Sequence, residues 1–448
     1  MLTAQERAVR IRGQREAQPE IYGSIDFDTM PLRFTTDPNV PAQMRDELAD
    51  QRPRLLANAE LVSVVADYTL LGDRVGDAYA GLMFEYGFKR LVDMLVEACD
   101  KGVDQVDGAP KELVDFIEDM ESVPEWIDLD LVERGARLER NATAHVLPYV
   151  IRGGLLGTFV NKYAALPMAV TGAFSERTSG KRVKETAAFF VSSVLPGALA
   201  RDGYSFKSAA MVRLVHSMVR INVMRKGRWD SGEYGVPIPQ ADQMPAGNAA
   251  MFALALKIVG TGRREFTADE RARVEFYRYR CFLLGLPEEL LPTTPQEIVD
   301  VMATRHATLR AGWDDDTCGR LVAGTMGARF EPEDSLSTRI REPFERSLSK
   351  LFFIRTYISG DAARAAKMGV IITRADRVRA AAALLYVVAR MLPYAIAERV
   401  PYLSDLADRR LTRKVSSLLE RYSGAEFRTD ATTYQPTPGA HQIRTEGA

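Results

Sequence analysis

The chain has 448 residues, 46% of them hydrophobic, which is enough for two to four domains and a large core. Its 59 basic and 60 acidic residues leave a net charge of −1, which argues against a nucleic-acid-binding protein. The sequence shows no hydrophobic signal region and no run of about 18 uninterrupted apolar residues, and its three cysteines lack CxxC spacing, so we expect a cytoplasmic protein without a transmembrane segment.

Residues 1–54 are predicted to form an irregular N-terminal arm, because five prolines interrupt a stretch of weak periodicity. Beyond the arm, apolar spacing close to the helical period predicts helices at 55–71, 79–98 and 111–120, and another from about residue 130. Residues 144–174 are strongly apolar and contain Gly153, Gly154 and Gly157. Their spacing does not fit a dinucleotide loop, so we expect close packing against a helix or a flat ligand.

A shorter helix is predicted to open near Gly180 and to close at Pro196-Gly197. It carries Arg182 and Thr186 at positions i and i+4, which share one face of a helix. A cation and a hydroxyl that face inward could hold carboxylates, whereas a surface position is the ordinary alternative for an arginine.

The most informative stretch is 208–229, SAAMVRLVHSMVRINVMRKGRW. On a helix, Arg213, His216 and Arg220 fall within an arc of about 60°, and the rest of the circumference is almost wholly apolar. Such a helix is expected to be buried, yet no acid lies between Asp202 and Asp230. Because buried charge is costly without a partner, the two guanidiniums predict an anion from elsewhere.

Haem b would meet both requirements, since imidazole is a common axial ligand of its iron and its carboxylates match arginine. Two alternatives stay open: the histidine is an ordinary core residue, or the arginines bind a phosphate or carboxylate metabolite. Motifs for zincins, di-iron bundles and serine hydrolases are absent from the sequence. Among the other histidines, His145 has an apolar context and is the main rival ligand.

Further helices are predicted after a loop rich in proline and glycine at 232–247. Capping boxes begin two of them at Thr267 and Thr294, and three more are expected near 340–359, 375–397 and 403–422. No alternating strand pattern occurs. We therefore predict an all-α protein with one large helical domain at 55–425 and a disordered polar tail at 426–448.

Four segments together resemble the MpaB-like oxygenase family, which includes the latex-clearing rubber oxygenases: VRLVHSMVR, RVKET, GRWD and EYGVPIPQAD. The similarity covers about residues 124–286. It implies a globin-like helical core that holds haem b, with His216 as the proximal iron ligand. Arg213 and Arg220 would hold the haem propionates or order their helix, while Arg182 and Thr186 would line the opposite side of the pocket.

The resemblance also implies an activity, the cleavage of C=C bonds in an apolar isoprenoid or lipid with O₂. A lysine that can cap the iron in the rubber enzymes is replaced here by Glu185. Glu185 and Glu176 are the candidates for a catalytic base, although a helix-surface acid is the ordinary role for either. A haem-dependent hydroxylase or peroxidase, or a haem-binding sensor without catalysis, remains an alternative.

Overall fold

The computed structural model describes residues 2–171, 179–225, 227, 229–329 and 336–423. This part of the chain forms 22 α-helices, most of them joined by short connections, with a longer irregular segment between residues 23 and 51. Its only extended pairing consists of two isolated bridges, Phe34 with Leu309 and Ala42 with Arg310. The prediction of an all-α protein is therefore confirmed.

Helices follow one another along the whole of the described chain. The first eight are α1 (Ala4–Ala17), α2 (Pro19–Tyr22), α3 (Arg52–Ala57), α4 (Ala59–Leu70), α5 (Arg74–Gly81), α6 (Met83–Tyr86), α7 (Phe88–Lys101) and α8 (Lys111–Glu121). The middle eight are α9 (Leu129–His145), α10 (Leu147–Leu156), α11 (Lys162–Val170), α12 (Ser179–Ser192), α13 (Tyr204–Arg225), α14 (Ser231–Tyr234), α15 (Gln240–Gly260) and α16 (Ala268–Leu283). The last six are α17 (Pro295–Thr308), α18 (Arg320–Gly327), α19 (Leu336–Tyr357), α20 (Ala362–Lys367), α21 (Arg374–Ala397) and α22 (Pro401–Ser423).

The expected irregular arm at 1–54 is partly wrong, because helix α1 begins there with a capping box between Thr3 and Glu6. Only Arg7 and Ile11 of α1 are buried, so the helix has too few inward apolar residues to give a clear periodicity. Ile11 nevertheless belongs to the same hydrophobic core as the body of the protein. The predicted tail at 426–448 lies outside the described residues.

The helix expected at 79–98 is divided into α5, α6 and α7. Gly87 lies at the second break with φ of 75°, a conformation that ends a right-handed helix and that glycine adopts without strain. The capping boxes predicted at Thr267 and Thr294 are both present.

Helix α21 bears on the expectation that the chain has no transmembrane segment, which stays a prediction. By length and composition alone it is suitable, with a mean hydropathy of 1.7 over its most apolar window, and 17% of that window is buried. A strongly bent pair of segments, 46–57 and 59–86, meets the same criterion only when the two are taken together.

Helices α9 and α16 pack closely against each other, and Gly135 of α9 permits this approach. A Cβ atom at Gly135 would lie 2.1 Å from the carbonyl oxygen of Ala272 and 2.7 Å from Cβ of Phe276. Backbone cannot yield as a flexible side chain can, so the two helices would have to separate.

We predict that Gly135→Ala lowers the free energy of unfolding by about 1–3 kcal/mol, because the added methyl overpacks this contact. Gly13→Ala is the matched control, since it lies on exposed α1 with open space around it. The control should be neutral or more stable by up to about 1 kcal/mol, from helix propensity. Urea unfolding measures both, and equal stability of the two variants would contradict the packing argument.

Candidate functional site

Helix α13 lies at the centre of the candidate site. Its apolar residues are mostly buried, as the sequence predicted, and its half-buried positions include Val212, Val215 and His216. Val215 lies with side chains of α11, among them Leu166 and Val170, in a small apolar cluster. The site is thus built where α11 and α12 meet α13.

His216 as a residue is half-buried although most of its helix is buried, and its ring is hydrogen-bonded to the side chain of Gln243. Its Nδ1 atom is buried and has no hydrogen-bond partner. Burial, together with the nearby guanidinium of Arg220, lowers the pKa of His216 to about 4. The imidazole is therefore neutral at physiological pH, which is the form that binds a metal ion.

The guanidinium of Arg213 forms a two-pronged ion pair with Asp73, in which Nε and Nη2 donate to the carboxylate at 2.7 and 2.8 Å. A further bond of 2.9 Å joins Nη2 to Asp119. Asp73 also caps α5 by accepting from the amide of Gly76. Burial opposes ionisation of Asp73, but Arg213 and Arg220 hold the pKa of its carboxyl below the ordinary value.

Arg220 is fully buried, and each of its nitrogens has a protein partner. Nε donates to Asp77 at 2.7 Å, Nη1 to the carbonyl of Ile238 at 2.8 Å, and Nη2 to the hydroxyl of Ser217 at 3.0 Å. The second oxygen of Asp77 accepts a short bond from the hydroxyl of Tyr22. A buried charge requires hydrogen-bond partners of this kind for all of its polar atoms.

These contacts correct the expectation of an external anion, because protein carboxylates neutralise both guanidiniums. Of the two roles that the resemblance implied, the ordering of α13 is the one that the contacts support. Any direct contact with a cofactor stays a prediction. Local sequence could not reveal the partners, since they lie 140 and 143 residues upstream. The available signal was the spacing of Asp73 and Asp77, which matches one helical turn.

The segment after α13 is anchored at several points, and these anchors explain part of the motif GVPIPQAD. The indole of Trp229 donates to the carbonyl of Gly235 at 2.7 Å. Ile238 adopts φ of 48°, which is strained for a β-branched residue, and its carbonyl bonds Arg220. Asp242 accepts from buried Arg33 and Arg305.

Helix α12 carries the other predicted residues. Arg182 donates to one carboxylate oxygen of Glu185 at 2.7 Å, and the other oxygen is buried without a hydrogen-bond partner, 3.9 Å from Nζ of Lys181. Burial raises the pKa of Glu185 despite the attraction of both cations. Thr186 is half-buried beside it. Glu176 lies outside the described residues.

The two site helices meet near their connected ends, where the hydroxyls of Ser192 and Ser205 are 2.7 Å apart. Arg182 and His216 lie ten and eleven residues from that contact along their helices. At about 1.5 Å per residue, both are roughly 15 Å away from it. Arg182 and His216 thus lie at similar distances from the contact between the two helices.

The remaining histidines differ in their contacts. His145 is engaged at both nitrogens, with Nδ1 3.0 Å from the carbonyl of Asn141 and Nε2 3.0 Å from Nζ of Lys414. His306 is half-buried, and its Nδ1 also lacks a partner. Burial lowers the pKa of His306 to about 3. By geometry alone, His306 is therefore the alternative to His216 as a metal ligand. His441 lies outside the described residues.

The structure thus defines an all-helical protein with one neutral imidazole on a central buried helix. The family described as "ER-bound oxygenase mpaB/B'/Rubber oxygenase, catalytic domain" matches residues 144–421, which is more than half of the chain. The chain belongs to this family, and the match extends well beyond the expected 124–286 on the C-terminal side.

Two further similarities agree with this assignment. The chain is 26% identical over 190 residues to the rubber oxygenase of Streptomyces sp. (strain K30), a stretch that covers 42% of this chain and 46% of that relative. The structure of latex clearing protein in the closed state superposes with a TM-score of 0.56 at 21% identity, over 78% of this chain and 91% of the other. The second similarity establishes the fold alone.

We predict that Arg220→Met and Asp77→Leu each reduce the free energy of unfolding by about 3–5 kcal/mol, because either change leaves a buried charge unpaired. The double variant should lose much less than the sum of the two. A double-mutant cycle by urea unfolding measures this coupling. The exposed pair of Lys89 and Asp93 is the control and should show almost none. Additive effects at Arg220 and Asp77 would refute the pairing.

Proposed function

We propose that the protein is a haem b-dependent oxygenase that cleaves C=C bonds of an apolar isoprenoid or lipid with O₂, in the cytoplasm. The observation that carries this proposal is the neutral, incompletely bonded imidazole of His216 on a buried helix. Membership of a family of oxygenase catalytic domains supports it. The cytoplasmic location is supported by three free, buried cysteines.

The residues present fit haem in their donor chemistry. Among the described residues, no group of three or more histidine, cysteine, aspartate or glutamate side chains could hold a metal ion. An iron bound by a lone imidazole needs its other ligands from a prosthetic group, and a porphyrin supplies four nitrogens. Apolar side chains of α11 and α13, such as Leu166 and Val215, suit the faces of a flat hydrophobic ring.

The propionates of haem need cations that are not already neutralised by aspartate. Aspartates neutralise Arg213 and Arg220 in this way. The first turns of α12 carry three cations, Lys181, Arg182 and Lys184, against one acid, Glu185, which pairs with Arg182, so cations outnumber acids there. In this proposal α12 holds the carboxylates, while the aspartate-bound arginines fix α13.

When bound, haem would supply the activation of O₂. His216 would hold the iron through its neutral ring. Half-buried apolar side chains, such as Val212, would bind the hydrocarbon chain and exclude water. Glu185 would act as the base, because its free Oε1 atom can accept a proton from an allylic carbon.

We predict that His216→Ala abolishes haem retention, since it removes the only iron ligand that the protein would provide. The absorption spectrum of the purified protein, as isolated and after dithionite and carbon monoxide, measures bound haem through its Soret band. His145→Ala and His306→Ala are the controls and should retain the band. If a control variant lost haem while His216→Ala retained it, the iron ligand would be the histidine changed in that control. No Soret band in any form, even after haem addition, would overturn the haem proposal.

We predict that Glu185→Gln keeps the haem spectrum but lowers O₂ consumption with an alkene such as squalene by about 10²–10⁴-fold, as expected for a lost base. Because burial raises the pKa of Glu185, the wild-type rate should increase with pH through that raised value as the carboxylate forms. The variant should lack this rise.

The exposed acid Glu118 provides the control for this experiment, and Glu118→Gln should leave the rate and its pH profile unchanged. An unchanged pH profile in Glu185→Gln would show that the base lies elsewhere.

A further inference from the structure

Helix α21 exposes its larger apolar side chains and buries its smaller ones. Val378, Leu385, Leu392 and Ile396 are all exposed, Leu385 at 72%, and they fall within about 40° of one another around the helix. On the opposite side, Ala380, Ala383 and Val387 are buried. A helix that only served the core would show the reverse arrangement.

The apolar stripe continues across the turn into α22, where Tyr402 is 93% exposed and Leu403 and Leu406 are also exposed. We call the exposed residues Val378, Leu385, Leu392, Ile396, Tyr402 and Leu406 the α21 face. Contiguous exposed hydrophobic surface of this kind marks an interaction site rather than ordinary solvent-facing surface.

The charges of α21 are cationic. Arg374, Arg377 and Arg379 lie in its first two turns and Arg390 in its middle, and all four are exposed. Within the described part of the chain, none of the four forms an ion pair. The helix has one acid, Asp376, which is buried and accepts from Ser347 at 2.8 Å. An apolar stripe flanked by arginines is complementary to a surface that is apolar and negatively charged.

Insertion across a bilayer does not fit the packing. The inner side of α21 is fixed to α19 through Asp376, which is bonded to Ser347 and lies 3.2 Å from Nζ of Lys350. Because α19 presents the exposed charge of Arg339, α21 cannot enter lipid on all sides. A helix held in this way can lie flat, with its outer stripe immersed.

Other occupants fit less well. In a symmetric pair of chains joined through this face, the exposed arginines of α21 would approach one another wherever they did not face Glu398 and Asp405, which lie at the α22 end. The 25 residues after Ser423 are mostly polar and offer few large apolar side chains.

We propose that the α21 face docks the protein on the surface of an anionic phospholipid bilayer. The outer stripe enters the interfacial region, and the arginines contact lipid phosphates. This inference does not depend on the proposed haem chemistry, since it concerns only the outer side of α21 and the start of α22.

Co-sedimentation of the full chain with vesicles tests the proposal. We expect binding to phosphatidylcholine vesicles that contain phosphatidylglycerol, weak binding to pure phosphatidylcholine, and release at high salt. Leu385→Glu with Leu392→Glu should weaken binding at least about tenfold, since two buried apolar contacts are replaced by charges that the lipid repels. Arg377→Gln with Arg379→Gln should weaken binding about fivefold for each arginine removed.

Matched controls carry the same changes on exposed positions elsewhere. Val9→Glu with Leu32→Glu, and Arg10→Gln with Arg12→Gln, should bind like the wild type. Circular dichroism establishes that each variant is folded, which is expected because the changed side chains are exposed. Absent binding, or equal losses in the controls, would overturn the proposal. So would a stable dimer in light scattering that Leu385→Glu with Leu392→Glu converts to monomer while vesicles remain unbound.

Discussion

Two buried ion pairs between α5 and α13 are the constraint on which the candidate site depends. Asp73 binds Arg213, and Asp77 binds Arg220. Because an isolated charge in such an interior is prohibitively costly, α13 can be buried only if both arginines meet their aspartates. His216 lies between the two arginines in sequence, so the contacts that neutralise them also fix the rotation of the helix and hence the direction of the ring.

The same network sets the chemistry of the imidazole. Burial and the positive charge of Arg220 favour the neutral ring, while the carboxylate of Asp73 opposes them without reversing the effect. Burial is the larger cause of the lowered pKa of His216, and the guanidinium of Arg220 adds to it. Removal of Asp77 would do more than destabilise the fold, because Arg220 would be left as an unbalanced cation close to the ring.

Much of the fold could be predicted from the sequence, since the helical period of the apolar residues is a local property. The burial of α13 and the common arc of Arg213, His216 and Arg220 follow from that period. The partners of the arginines could not be predicted, because nothing local relates residue 213 to residue 73. Helix α21 shows a second limit: an apolar helix has the same composition whether its large side chains face the core or the solvent.

The motif that relates this chain to its family is largely accounted for by structural contacts. Trp229 and Gly235 hold the loop, Ile238 completes the shell of Arg220, and Asp242 binds two buried arginines. A match over these residues is therefore evidence mainly for a shared local structure around α13. In the proposed reaction the chemistry depends more on α12, where the resemblance implies that Glu185 replaces a lysine of the rubber enzymes. A buried carboxylate with a raised pKa differs from an amine in charge, and in its ionised form it can accept a proton. If this chain keeps the fold of its family but differs at residue 185, we expect its reaction to differ from that of the rubber enzymes more than its fold does.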